Sequence, residues 1–177
     1  MATMGHRSLT ERMIGAAKLD VGVYEEVEAD TTATGQAALV VAIVAVAAAI
    51  GAAGGGMGAI LSGLIGAFVG WLVWAGVTYL VGDKLFGGTA TWGELLRTLG
   101  FAQAPGVLYV LGFIPVLGWI VRAVVWIWIL VAGVIAIRQA LDFDTGRAIL
   151  TALVGWLALV ILGVIAGVFG ALGSLVF

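Results

Sequence analysis

AALVVAIVAVAAAIGAAGGGMGAILSGLIGAFVGWLVWAGVTYLVG, residues Ala37–Gly82, holds no Asp, Glu, Lys, Arg or His. A helix rises ~1.5 Å per residue and the hydrocarbon core of a bilayer is ~30 Å thick, so one crossing takes roughly 20 residues. This run is more than twice that length and must fold back on itself. Gly54-Gly55-Gly56 lies near its middle and is its weakest helix-forming triplet. The pattern predicts two transmembrane helices, over residues 35–53 and 57–81, joined by a tight glycine turn.

The rest of the chain agrees. Of 177 residues, 63% are apolar and only 10% charged, with a mean hydropathy of +1.20; soluble domains carry about 25% charge. Further apolar runs predict spans over 94–111, 119–137 and 148–172. The fold class is therefore all-α: a polytopic integral membrane protein, a five-helix transmembrane bundle (residues 35–177) preceded by an N-terminal amphipathic cytoplasmic helix (residues 1–34). The bilayer is its first partner. A net charge of −2 leaves no basic patch for phosphates and excludes nucleic acid. Cysteine is absent, and the single histidine, His6, sits in the polar tail. Neither supplies a nucleophile or a metal ligand.

Residues 1–34 are polar and helix-forming. Ser8-Leu9-Thr10-Glu11 has the spacing of a capping box, so a helix starts near Leu9. Apolar positions follow at Leu9, Met13, Ala16, Ala17, Val21, Tyr24 and Val27, with Glu11, Arg12, Lys18, Glu25 and Glu28 on the other side. Such a helix, bent at Gly22, lies on the membrane surface or packs on the protein's own loops. Its acidic end (Glu25, Glu26, Glu28, Asp30) suits a protein contact better than an anionic headgroup.

Farther along, Thr91-Trp92-Gly93-Glu94 caps the third span, and Pro105 inside it predicts a kink whose freed carbonyl looks to Gln103 or a neighbouring helix. Phe113–Gly118 reads as a tight apolar turn, and Trp119 and Arg122 as interface anchors. With the N-terminus in the cytoplasm, the inner segments hold Arg7, Arg12, Lys18, Lys84, Arg97, Arg138 and Arg147, and the outer ones Arg122 alone. The positive-inside rule therefore predicts an inner-membrane protein with its N-terminus inside and its C-terminus outside. Ser62, Gly66 and Gly70 on the second span, and Gly163, Gly167 and Ala171 on the fifth, form small-residue ridges for close helix packing within the chain or in a homo-oligomer. Trp71, Trp74, Trp126, Trp128 and Trp156 face lipid or pack.

Intramembrane ionisable groups are where chemistry would be sought, and the spans hold almost none. Glu94 and Arg97, at i and i+3, are placed to pair. No paired carboxylates within a span, metal-ligand spacing, nucleophile–histidine pair or phosphate loop is found, so no catalytic, metal or cofactor residue is assigned and a non-enzymatic role is expected.

Gly93–Pro105 (GELLRTLGFAQAP) resembles the corresponding stretch of bacterial members of the Yip (Ypt/Rab-interacting protein) family. The family's Gly-Tyr-x3-Pro motif aligns with Gly100, Phe101 and Pro105, phenylalanine replacing tyrosine, and Tyr24–Asp30 is similar to the bacterial subgroup. The family's other motif, Asp-Leu-Tyr-Gly-Pro, has no match, since the prolines are Pro105 and Pro115. The resemblance implies five spans and a cytoplasmic N-terminus; the eukaryotic Rab partner is not carried over. The expected function is a membrane-organising or protein-interaction module whose contact surface is Leu9–Val27 with Glu94–Pro105. A small oligomeric channel or transporter is the alternative, on the strength of the proline in the third span and Gln103.

Overall fold

The computed structural model describes residues 7–52 and 56–173, and its regular structure among them is all helical. Helix α1 (Leu9–Ala17) begins at the expected capping box: the Ser8 N–H donates to the Glu11 carboxylate at 2.7 Å and the Glu11 N–H to Ser8 Oγ at 3.3 Å. The single N-terminal helix expected through Val27 is in fact two. The chain breaks at Lys18–Asp20, where Leu19 takes φ 63°, and Asp20 caps α2 (Val21–Ala29) by accepting the Gly22 N–H at 3.0 Å. Gly22 thus opens a helix instead of bending one. The Tyr24 hydroxyl donates to the Ala16 carbonyl at 3.1 Å, so α2 folds back on α1.

Then follow α3 (Ala33–Gly51), α4 (Gly56–Tyr79) running on through a π-helical turn at Leu80–Leu85, α5 (Trp92–Ala102), a 3-10 segment (Ala104–Phe113), α6 (Leu117–Ala140) and α7 (Thr145–Gly173). Among the described residues, four helices are long and apolar enough to cross a membrane: Ala33–Gly51, Gly56–Leu85, Leu117–Ala140 and Thr145–Ile165. The chain is an integral membrane protein. Its outward faces say the same, with Leu61, Ile65, Val69 and Leu72 exposed along α4 and Leu150, Leu153, Leu157 and Ile161 along α7, each series at helical spacing. His6 and the turn glycines Gly54 and Gly55 lie outside the described residues.

The segment expected as the third span is broken, not kinked. Helix α5 stops at Ala102, Gln103 caps it, and Pro105 falls in the first turn of the 3-10 segment, where its missing N–H costs nothing. Neither piece alone reaches across a bilayer: eleven α-helical residues make ~17 Å and ten 3-10 residues ~20 Å. Together they track α3 in parallel. A Cβ on Gly100 would strike Ala37, one on Gly106 would strike Val44, and one on Gly112 would meet the Gly51 carbonyl at 2.9 Å. Only glycine lets the two backbones lie this close. Helix α5 is the hub: Leu95 through Ala102 are all buried, among α1, α2, α3, α4 and α6.

Of the tryptophans, Trp71 and Trp74 are buried. Trp71 donates its Nε1–H to the Leu96 carbonyl at 3.0 Å, and Trp74 lies between Gly133 of α6 and Gly155 of α7. Trp126 is exposed and meets Trp156 edge-on at 5.4 Å. The small-residue ridges do not behave as intrachain seams. Ser62 is exposed, and a Cβ at Gly66, Gly70, Gly163 or Gly167 would meet nothing within 4 Å; the packing of Ala171 falls outside the described residues. Glycines that do bring helices together here include Gly15, Gly51, Gly100, Gly106, Gly133 and Gly155.

Candidate interaction face

The last carbonyls of a helix have no partner inside it and must find donors elsewhere. Three helices here solve this the same way, with a side chain from a distant segment. Trp128 of α6 donates its Nε1–H to the Ala17 carbonyl that ends α1, at 2.8 Å. Arg97 of α5 donates through Nε to the Val27 carbonyl at 2.9 Å and through both Nε and Nη2 to that of Glu28, closing α2. Arg122 of α6 donates through Nη2 to Gly51, the last residue of α3, at 3.1 Å and to Gly112 at 3.4 Å. A cation at a helix C-terminus also meets the negative end of the helix dipole.

These contacts correct one reading of the sequence and add to another. Arg97 is buried and turned toward α2, so the expected pair with Glu94 is not made; Glu94 serves the capping box instead, accepting the Thr91 N–H at 2.7 Å. Arg122, expected as an interface anchor, also reaches inward to two carbonyls.

Arg12 forms the other buried cationic centre, where the periodicity predicts an exposed polar face. Its guanidinium meets Glu26 at 2.9 Å, Asp30 at 2.7 Å and the Gln36 amide oxygen at 3.0 Å, tying α1 to α2 and to the start of α3. Arg7 adds a second bond to Glu26 at 2.7 Å. Hydrogen bonds from Thr32, then from Arg12, hold the Asp30 carboxyl down at about 2 despite some burial. Burial pushes Glu26 up, but the bonds from Arg12 and Arg7 win and keep it below its ordinary value. The α1–α2 pair is therefore latched onto the bundle, with Ala16, Val23, Tyr24 and Val27 in the common core.

With these bases drawn inward, carboxylates collect outside. Glu25 accepts from the Gln139 amide at 3.0 Å, and Asp142 from the Thr89 hydroxyl at 2.9 Å. Burial first, and then the charges of Glu94, Asp142 and Glu25 against the opposing pull of Arg97, push Glu28 up to about 7. The result is an acidic patch made by α2, the N-terminal turn of α5 and the α6–α7 turn.

The residues singled out in the sequence divide accordingly. Glu25, Glu28 and Glu94 come together at this patch, and Glu26 belongs to the Arg12 latch. Tyr24, Arg97, Gly100, Phe101 and Pro105 lie beneath it in the interior, and Gln103 is half-buried beside Trp74 and Ile129. Only the first turn of Glu94–Pro105 is therefore available to a partner. Asp142, Gln139 and Trp128 were missed, because their partners are distant in sequence. Among the described residues, no group of three or more His, Asp or Glu is arranged to hold a metal ion.

The family model of the Yip1 domain matches residues 23–167, most of the chain. No curated protein and no solved structure matches.

Proposed function

The chain belongs to the Yip1 domain family, and we propose that it is a non-enzymatic, membrane-embedded interaction module presenting the acidic patch at the α1–α2 end to a cytoplasmic protein with a basic docking segment. The observation that carries this reading is the division of charge. Arg12 and Arg97 are spent on internal bonds, while Glu25, Glu28, Glu94 and Asp142 gather at one surface. The grooves in the bundle are lined mainly by apolar side chains, which lends little to a channel. A second copy of the chain is the partner that the open ridges at Ser62–Gly70 and Gly163–Gly167 would suit.

Proximity labelling from an N-terminal fusion tests the docking reading. One defined basic protein should be recovered, and Glu25→Gln with Glu28→Gln should abolish its recovery while leaving the purified protein's helix content unchanged. Equal recovery from the charge-neutral variant refutes it.

The same reading takes α5 and the 3-10 segment as a fifth crossing, with the N-terminus inside and the C-terminus outside an inner membrane. Its support is the register with α3, a helix long enough to span, from Ala37–Gly100 to Gly51–Gly112. The absence of native cysteine makes the test clean. Five crossings place Thr10→Cys and Asp144→Cys on one side and Val116→Cys on the other. If the broken segment turns back instead, Val116→Cys labels from the same side as Thr10→Cys.

A further inference from the structure

At the end of the bundle opposite α1 and α2, a groove of about 740 Å³ opens between the ends of α3 and of the 3-10 segment and the start of α6. Its small floor residues are Ala48, Ala52 and Ala123; Tyr109, Trp119 and Trp126 stand along it, and Arg122 sits at its mouth. We infer that this groove binds an anionic phospholipid of the surrounding leaflet, its phosphate on the Arg122 guanidinium and one acyl chain against the alanine floor.

Three observations converge. The first is charge. Arg122 is the single basic residue between Arg97 and Arg138, and no Asp or Glu occurs between Asp30 and Asp83 or between Glu94 and Asp142. The segments that build this end of the bundle therefore offer Arg122 no carboxylate side chain, and a cation at the edge of an apolar medium needs an anion.

The second is donor geometry. Only Nη2 is used, on the Gly51 and Gly112 carbonyls, which fixes the plane of the group. Nε and Nη1 donate to no acceptor among the described residues, and a guanidinium held in plane with free N–H groups suits a phosphate.

The third is position. Arg122 is six residues into α6, so the phosphate lies ~8 Å along the axis from the helix start, with Trp119 one turn nearer the end. Tryptophan beside arginine is the usual furniture of the headgroup level. From there the alanine floor continues toward Ile127, deeper along α6, where an acyl chain runs.

The test uses the full chain in detergent, offered equal amounts of phosphatidylglycerol and phosphatidylcholine and read by native mass spectrometry. The wild type should retain phosphatidylglycerol in preference. Arg122→Gln keeps an amide donor for the two carbonyls and loses the charge; it should bind phosphatidylglycerol about ten-fold more weakly, the loss of one charge-assisted contact. Ala123→Leu fills the floor without touching Arg122 and should lose both lipids, which keeps the inference open to refutation even if Arg122→Gln misfolds. Unchanged retention by either folded variant, or no preference between the two lipids, overturns it. So does displacement of the lipid by millimolar inorganic phosphate, which would mark a free-anion site in which the acyl chain contributes nothing.

Discussion

Arg97 Nε donates to the Val27 carbonyl at 2.9 Å, joining residues seventy positions apart and fastening α2 to the helix at the centre of the bundle. Replacing Arg97 with Met leaves the α2 carbonyls without their donor and should destabilise this docking by about 2–3 kcal/mol. The effect should be local: amide exchange in α2 quickens while that in α7 stays as it was. Arg97→Lys keeps the charge but cannot fork across two carbonyls, so it should fall in between. Uniform loosening of all helices would contradict the local role.

The Arg12 latch should fail differently. Arg12→Ala takes from Glu26 and Asp30 the buried guanidinium they share, leaving their charges only partly answered by Arg7 and Thr32, at a cost of about 3 kcal/mol. Limited proteolysis should then cut around Lys18–Asp20 while the membrane bundle stays intact. Adding Glu26→Gln and Asp30→Asn to Arg12→Ala should recover part of the loss, because the stranded charges go with it. No recovery would mean that packing of the arginine stem, not its charge, holds α1 in place.

Stability should depend on pH through Glu28 of the acidic patch and Asp30 of the Arg12 latch. Glu28 titrates at about 7 in the folded protein against an ordinary 4.5, so the folded state holds the extra proton between those values. Stability is then lost as pH rises through that window. Asp30 works the other way: with its carboxyl down at about 2 from 3.8, its contribution is lost as pH falls toward 2. For these two groups the favourable window lies near pH 4–5. Glu28→Gln should remove the upper arm alone, stabilising by about 1 kcal/mol at pH 8, after allowing for solvent screening, and by nothing at pH 4. Thermal midpoints in detergent at the two pH values decide it; an equal shift at both would show that charge is not the cause.

Glycine positions that look alike in sequence should differ sharply in tolerance. At Gly155 a Cβ would lie 2.9 Å from Trp74 Cδ1, so Gly155→Leu should cost about 2–3 kcal/mol and be partly rescued by Trp74→Leu. At Gly163, two turns on, a Cβ meets nothing within 4 Å, and Gly163→Leu should change the stability of the monomer by less than about 0.5 kcal/mol. Both follow from midpoints measured on monodisperse protein.

What could be read from sequence was what depends on near neighbours. Both capping boxes, Ser8–Glu11 and Thr91–Glu94, stand where their spacing put them, and four of the five apolar runs became membrane-length helices with ends shifted by a few residues, the run at 94–111 being the exception. The candidate face was only half legible. Glu94 and Arg97 have the spacing of a pair, yet the capping box claims the one and the α2 carbonyls the other. Nothing local in the sequence tells an arginine which distant helix end it closes. Arg12 misled for a related reason: its place on the polar side of a helical wheel was right, but that side turned toward Glu26 and Asp30 once the chain doubled back at Leu19. The ridge at Ser62–Gly70 meets no helix of its own chain, since small residues at i and i+4 permit close packing without specifying a partner.

Pro105 has a part in setting lengths. From Ala37 to Gly51, α3 rises ~21 Å, and the chain beside it covers Gly100 to Gly112 with two fewer residues. A short α-helical piece followed by 3-10 geometry, at ~2.0 Å per residue, makes up ~22 Å; continuous α-helix would give ~18 Å. The stretched segment is thus what brings Gly112 level with Gly51 and lets Arg122 bridge their carbonyls. Pro105→Ala restores an N–H and permits α-helix to run on, drawing Gly112 ~3–4 Å short of its partner. The expected outcome is greater helicity by circular dichroism together with a lower thermal midpoint, and faster amide exchange at Gly51–Ala52. A gain in helicity with an unchanged midpoint would show that the register with α3 does not depend on the break.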